Sequence, residues 1–305
     1  MRKSLILAGL IGMGASLPVT VMAEEAPAAA PAAAAAPAPT WTFPGSVSLV
    51  SDYLWHGQTQ TWGHPAIQVG IEADHASGFY VGFWGSNVSS HWLPNANLET
   101  DWSVGFRNTF ATDFRYDVGA TYVYYPGANF DKSNAPLAGG GVRYQSSKLN
   151  TVELYGSLGW KWFTVKGGYN PTKFYGWNGD NSGVIGVGAN PPSFAGDTTA
   201  GVKAGGSTRG SGYVVASASY DIPGVAGLNL AGEVGRQMIA DSTNLDWTWY
   251  KVGLTKSFDG GWAIGGAVSG TSGTDAYKHF ASFDDWNDTK SVDKTKAMLT
   301  LTKSF

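Results

Sequence analysis

Cysteine is absent from the 305 residues, so neither a disulfide nor a thiolate metal site contributes to this fold. Charge is also scarce: Asp, Glu, Lys and Arg make up 14% of the chain, against about 25% in an ordinary soluble domain. Beyond residue 23 there is no long unbroken apolar run, which excludes a membrane-spanning helix from the rest of the chain. The sequence holds no GxSxG elbow, no HExxH zinc helix and no GxxxxGKS/T phosphate loop. The five histidines are scattered without metal-ligand spacing, so no metal and no cofactor is expected. The net charge is −3, and a chain on the acidic side of neutrality is a poor partner for nucleic acid.

What is abundant is glycine (42 residues) and aromatic side chains (13%). Low charge with many Trp, Tyr and Gly describes a chain whose outer surface does not face water everywhere. The N-terminus gives an address: Arg2 and Lys3 precede an apolar stretch from Leu5 to Val21, and Val21-Met22-Ala23 offers a cleavage site. Residues 1–23 are therefore expected to be a cleaved signal peptide, and residues 24–44, rich in Ala and Pro, a disordered periplasmic linker. The remaining residues, 45–305, form the domain to be explained.

From Gly45 onward hydrophobicity alternates with period two, which is how a strand with one apolar and one polar face reads. Residues 98–110 show it most cleanly, with Leu98, Trp102, Val104, Phe106 and Phe110 opposite Glu99, Asp101, Ser103, Arg107 and Thr109. The pattern predicts strands near 45–56, 65–75, 78–87, 97–110, 114–125, 150–159, 161–170, 212–221, 227–238, 246–258, 261–271 and 293–305. Each has the length a tilted strand needs to cross a bilayer. Short and long connections alternate with the strand count, as in an antiparallel up-and-down transmembrane β-barrel of about 12 strands with short periplasmic turns and long external loops. The last strand places Leu299, Leu301 and the terminal Phe305 on one face, the arrangement of an assembly signal read by the barrel assembly machinery.

The block SDYLWHGQTQTWGHPAIQVGIEADHASGFYVGFWGSNV, residues 51–88, resembles the opening of the TorF porin family. Echoes follow at Glu99-Thr100-Asp101, Tyr124 to Gly127, Val152 to Tyr155 and Trp249 to Leu254. The resemblance implies a location in the Gram-negative outer membrane and a channel, and it brings no substrate with it. His56 stands where an Arg is expected in most relatives, so a shared pore charge at that position is not carried over.

If the apolar faces meet lipid, the opposite faces line a lumen whose charges set selectivity. The inward set reads Asp52, Glu72, Asp74, Glu99, Asp101, Asp117, Glu153, Asp221 and Glu233 against Arg107, Arg115, Lys161, Lys166 and Lys251. The excess of acids predicts a mild preference for cations among small hydrophilic solutes or ions, with oligomeric state left open. The competing expectation is that these charges pair across neighbouring strands and help to plug a narrow interior, with loops 126–149 and 171–211 long enough to fold inward. Tyr53, Trp55, Trp84, Trp92, Trp102, Tyr122, Tyr124, Trp162, Trp247, Trp249 and Trp262 are expected to form girdles at the two interfaces. Two alternatives from other classes are a lipase-like barrel using the close Ser89, Ser90 and His91, and a secreted β-sandwich that binds sugars. Asp284, Asp285, Asn287 and Asp288 lack the spacing of a calcium loop and read as a solvated acidic loop.

Overall fold

The computed structural model describes residues 40–134, 144–182, 201–273, 277–278, 280–285 and 288–305. The expected signal peptide and all but the last residues of the linker lie outside the described residues, as do His279 and Asn287. Twelve strands form the barrel: β1 (Gly45–Val50), β2 (Ala66–His75), β3 (Phe79–Asn87), β4 (Leu98–Phe110), β5 (Phe114–Tyr124), β6 (Thr151–Trp160), β7 (Phe163–Tyr169), β8 (Gly212–Asp221), β9 (Leu228–Met238), β10 (Trp247–Phe258), β11 (Trp262–Gly273) and β12 (Lys296–Ser304). Each pairs antiparallel with its neighbours in sequence, and β1 pairs with both β2 and β12, so the sheet closes on itself. Closure removes every sheet edge.

The seam is made by the chain terminus. Phe305 and Gly45 exchange backbone hydrogen bonds of 3.0 and 3.1 Å, and Leu301 registers with Leu49. Leu299 and Phe305 remain exposed on the outer wall. The predicted linker ends earlier than residue 44, because Trp41 and Thr42 pair with His75 and Asp74 in the register that β1 continues. Pro44 between them still accepts from the Glu72 N–H at 3.0 Å but has no N–H to return.

The two faces are sorted in reverse of a water-soluble protein. Val69, Val104, Trp102, Val252 and Leu254 stand exposed on the outer wall, while Glu72, Glu99, Asp101 and Lys251 are buried inside. Fully removing one such aliphatic side chain from water stabilises by about 1.5–3 kcal/mol, so an outer wall of this kind is stable only in an apolar surrounding. No helix among the described residues is long and apolar enough to cross a membrane, and a closed barrel is the other architecture whose backbone polar groups are all paired within the protein.

Connections alternate as expected. Short turns at 76–78, 111–113, 161–162, 222–227 and 259–261 close one end of the barrel, and long connections crowd the other. At the long-connection end, Trp55, Phe130, Tyr144, Phe174, Tyr175, Trp247 and Phe283 belong to a continuous buried aromatic cluster.

Candidate pore interior

The first predicted strand stops at Val50, six residues early, because Asp52 captures the chain. Its Oδ1 accepts from the hydroxyls of Thr59 (2.6 Å) and Thr61 (2.9 Å), and its Oδ2 from Lys296 Nζ at 3.2 Å. The chain then turns inward as a short hairpin, Leu54–Trp55 against Gln58–Thr59. His56 and Gly57 make the two-residue turn with φ of 45° and 81°, a left-handed pair that favours Gly at the second place. The tip seats against the β10–β11 wall, where Trp247 Nε1 donates to the His56 carbonyl at 2.8 Å. The imidazole is sandwiched between Trp55 (4.1 Å) and Trp249 (3.8 Å, 7° between planes), and its Nδ1 lies 3.3 Å from Gln237 Oε1. Burial lowers the pKa of His56 to about 3; the Gln237 hydrogen bond opposes this and the positive charges of Lys166 and Lys251 add to it.

Below the hairpin the wall carries a network of charges and tyrosines. Arg107 pairs with Glu72 and, at 2.6 Å, with Asp74, its guanidinium lying 4.1 Å above the Tyr80 ring. Tyr80 donates to Asp117 at 2.8 Å and its hydroxyl also meets that of Tyr155. Lys166 lies 4.3 Å over the Tyr155 ring, Tyr213 donates to Glu153 at 2.8 Å, and Trp249 Nε1 to Glu233 at 2.9 Å. Glu233 registers with Lys251 on the neighbouring strand. Replacing Arg107 by Met is expected to leave the buried Glu72 and the partly buried Asp74 carboxylates uncompensated and to cost about 3 kcal/mol, read as a shift of the urea midpoint of the refolded barrel.

The interior therefore brings together Glu72, Asp74, Glu99, Asp101, Arg107, Asp117, Glu153, Lys166, Glu233 and Lys251, with Asp52 holding the hairpin. Arg115 sits near the turn end, donating to the Lys161 carbonyl at 2.6 Å. Two expected positions are corrected. Lys161 is the left-handed turn residue after β6, φ 51°, with an exposed side chain over the Trp160 ring. Asp221 is exposed at the end of β8. Lys296, absent from the expected set, faces inward as the partner of Asp52.

The aromatic girdle is also smaller than expected. Trp102, Tyr122, Tyr124, Trp162 and Trp262 are exposed on the outside, whereas Tyr53, Trp55, Trp84, Trp92, Trp247 and Trp249 are buried. Strand parity separates them: Trp84 shares its face with Tyr80 and Ser86, and Trp249 shares its face with Lys251. Ser90 and His91 both turn toward Asp284, but no catalytic relay results. The Ser282 hydroxyl (3.0 Å) and the Asp284 carboxylate (4.0 Å) approach the same nitrogen, Nδ1, of His91, whereas a relay needs one on each nitrogen. Asp288 accepts from Trp62 Nε1 at 2.8 Å, and among the described residues no three His, Asp or Glu side chains are grouped to hold a metal.

A family profile described as "Bacterial protein of unknown function (Gcw_chp)" matches residues 33–305, and the chain belongs to this family. That description names no activity, and the TorF name suggested by residues 51–88 is not the one it carries. No curated protein matches the chain. Among solved structures the KdgM porin is similar at 10% identity, TM-score 0.45, over 86% of this chain and 99% of the other. The NanC porin is similar at 7% identity, TM-score 0.46, over 87% and 99%. An outer membrane channel from Pseudomonas putida F1 is similar at 12% identity, TM-score 0.40, over 88% and 96%.

Proposed function

We propose that this chain is a porin of the Gram-negative outer membrane, passing small hydrophilic solutes or ions without a reaction or a cofactor. The observation that carries this reading is the reversed sorting of its faces: an apolar exposed outer wall around an ionisable interior. The resemblance of residues 51–88 to the TorF porins and the Arg2–Ala23 export pattern support the same location. Phe305 at the seam is the residue we assign to recognition by the assembly machinery. Interior acids outnumber interior bases, with Asp52, Glu72, Asp74, Glu99, Asp101, Asp117, Glu153 and Glu233 against Arg107, Arg115, Lys166, Lys251 and Lys296, which favours cations.

A second reading, a barrel closed by its own contents, is favoured by the hairpin of residues 54–59. Its Trp55 and His56 stack inside the barrel, so passage requires this segment to move. The two readings separate in planar bilayers, using the refolded protein and a variant with residues 53–60 replaced by a short Gly-Ser bridge. Discrete current steps with a cation-biased reversal potential, larger in the shortened variant, are the expected result. Insertion of both proteins without current would leave a structural barrel and overturn the porin.

A further inference from the structure

Glu99 and Asp101 stand two residues apart on β4, so both carboxylates project to the interior, with their Cα atoms about 7 Å apart. They are 2% and 4% exposed, and no ion pair among the described residues includes either. Glu99 Oε1 accepts from the Tyr53 hydroxyl at 3.2 Å. Glu99 Oε2 and both oxygens of Asp101 have no hydrogen-bond partner among the described residues. A dry carboxylate without partner or counter-charge is strongly disfavoured, and two side by side more so.

The surround is aromatic. Trp84 is the register partner of Asp101 on β3, and Tyr53 meets the Trp84 ring edge-on at 5.4 Å. Tyr125 and Tyr175, 6.2 Å apart, lie within electrostatic reach of both carboxylates. A metal ion finds few ligands here, since no third acidic or histidine side chain completes a set among the described residues. Two carboxylates among aromatic side chains suit a different cation, an ammonium bearing carbon substituents, which combines charge pairing with cation–π contact.

Tyr53 belongs to the inward-turning segment, and the carboxylate oxygens without partners have no solvent surface while it is in place. The hairpin and a cation therefore cannot occupy this position together. We propose that the Glu99–Asp101 pair is a binding site for an organic ammonium cation, and that occupancy competes with the inward hairpin and opens the channel. The opening half of this inference rests on the porin reading; the binding half does not.

The test uses the full refolded chain in detergent micelles with tetramethylammonium as probe, and sodium as the inorganic comparison. Binding is read by titration calorimetry and by tryptophan fluorescence, which reports the release of Trp55 and Trp249 from their stack. The wild type is expected to bind tetramethylammonium, E99Q/D101N to lose at least about tenfold in affinity, and W84L to lose affinity for tetramethylammonium while leaving sodium unchanged. If the double variant gives no heat-modifiable folded band, the single D101N carries the same expectation. Equal tetramethylammonium affinity in wild type and folded variant overturns the site, and a sodium response as strong as the organic one overturns its assignment to an ammonium. Binding without any current in bilayers removes the porin reading and leaves the site standing; current without binding removes the site alone.

Discussion

Lowering the pH from 7 to 4 is expected to raise the open probability of the proposed channel by about two orders of magnitude more in the wild type than in H56Q. With the hairpin seated, burial depresses the His56 pKa to about 3. With the hairpin withdrawn into water, the imidazole returns to its ordinary value of about 6.5. The sign follows from which state takes the proton more readily. Above about pH 6.5 both states hold a neutral imidazole and pH has no effect; below it the withdrawn state is protonated first. The seated state therefore loses stability progressively as pH falls from about 6.5 toward 3, by roughly 1.4 kcal/mol for each pH unit.

The groups facing His56 decide whether the charge can be accommodated in place. Lys166 and Lys251 repel an imidazolium. The carboxylates nearest its ring contacts are engaged elsewhere, Glu153 by the Tyr213 hydroxyl and Glu233 by the Trp249 indole. Gln237 offers only a neutral oxygen at 3.3 Å. Interior groups elsewhere in the barrel that take up protons over the same range do so in both proteins. The difference between wild type and H56Q therefore isolates the histidine, and superimposable pH profiles for the two would show that the hairpin is not held by a neutral His56.

Most of the barrel was legible in the sequence because one physical rule governs every strand: lipid outside, polar groups inside, alternating. The rule holds from β2 to β12, and the predicted strand ends there fall within about three residues of the observed ones. It failed at residues 51–56 for a specific reason. Tyr53 and Trp55 fall in the same parity as the outward Val47 and Leu49, so alternation runs unbroken through a point where the chain leaves the wall. The signal that separates them is His56-Gly57, a two-residue turn flanked by alternating side chains. Parity with Ser86 and Lys251 places Trp84 and Trp249 in the interior, whereas residue type alone points to a girdle. Lys161 could not be placed that way, since it lies beyond the last paired residue of β6, where parity has no meaning. The pairing of Asp52 with Lys296 was not legible at all, because it joins positions 244 residues apart through barrel closure.

Gly119→Val is expected to destabilise the folded barrel by about 3 kcal/mol or more, the sum of overpacking and broken hydrogen bonds. Gly119 lies on β5 between Gly105 on β4 and Tyr155 on β6, and Gly105 in turn registers with Tyr80 on β3. The two tyrosines lie along the wall over these glycines until their hydroxyls meet. A Cβ at Gly119 would stand 2.5 Å from the Tyr155 hydroxyl and 2.7 Å from the Val104 carbonyl oxygen, so moving the tyrosine alone does not relieve it. At Gly105 the contacts nearest a new Cβ are all atoms of the Tyr80 side chain, at 2.4–2.8 Å, and that ring has room to swing only by giving up its bond to Asp117. Gly105→Ala should therefore cost less than Gly119→Val, and Y155A should rescue Gly119→Val only in part, because the carbonyl clash remains. Urea unfolding of the refolded proteins in lipid measures the series. A Gly119→Val barrel within about 0.5 kcal/mol of wild type, the range of an ordinary surface change, would mean that the tyrosines do not lie on the wall but reach across the bore.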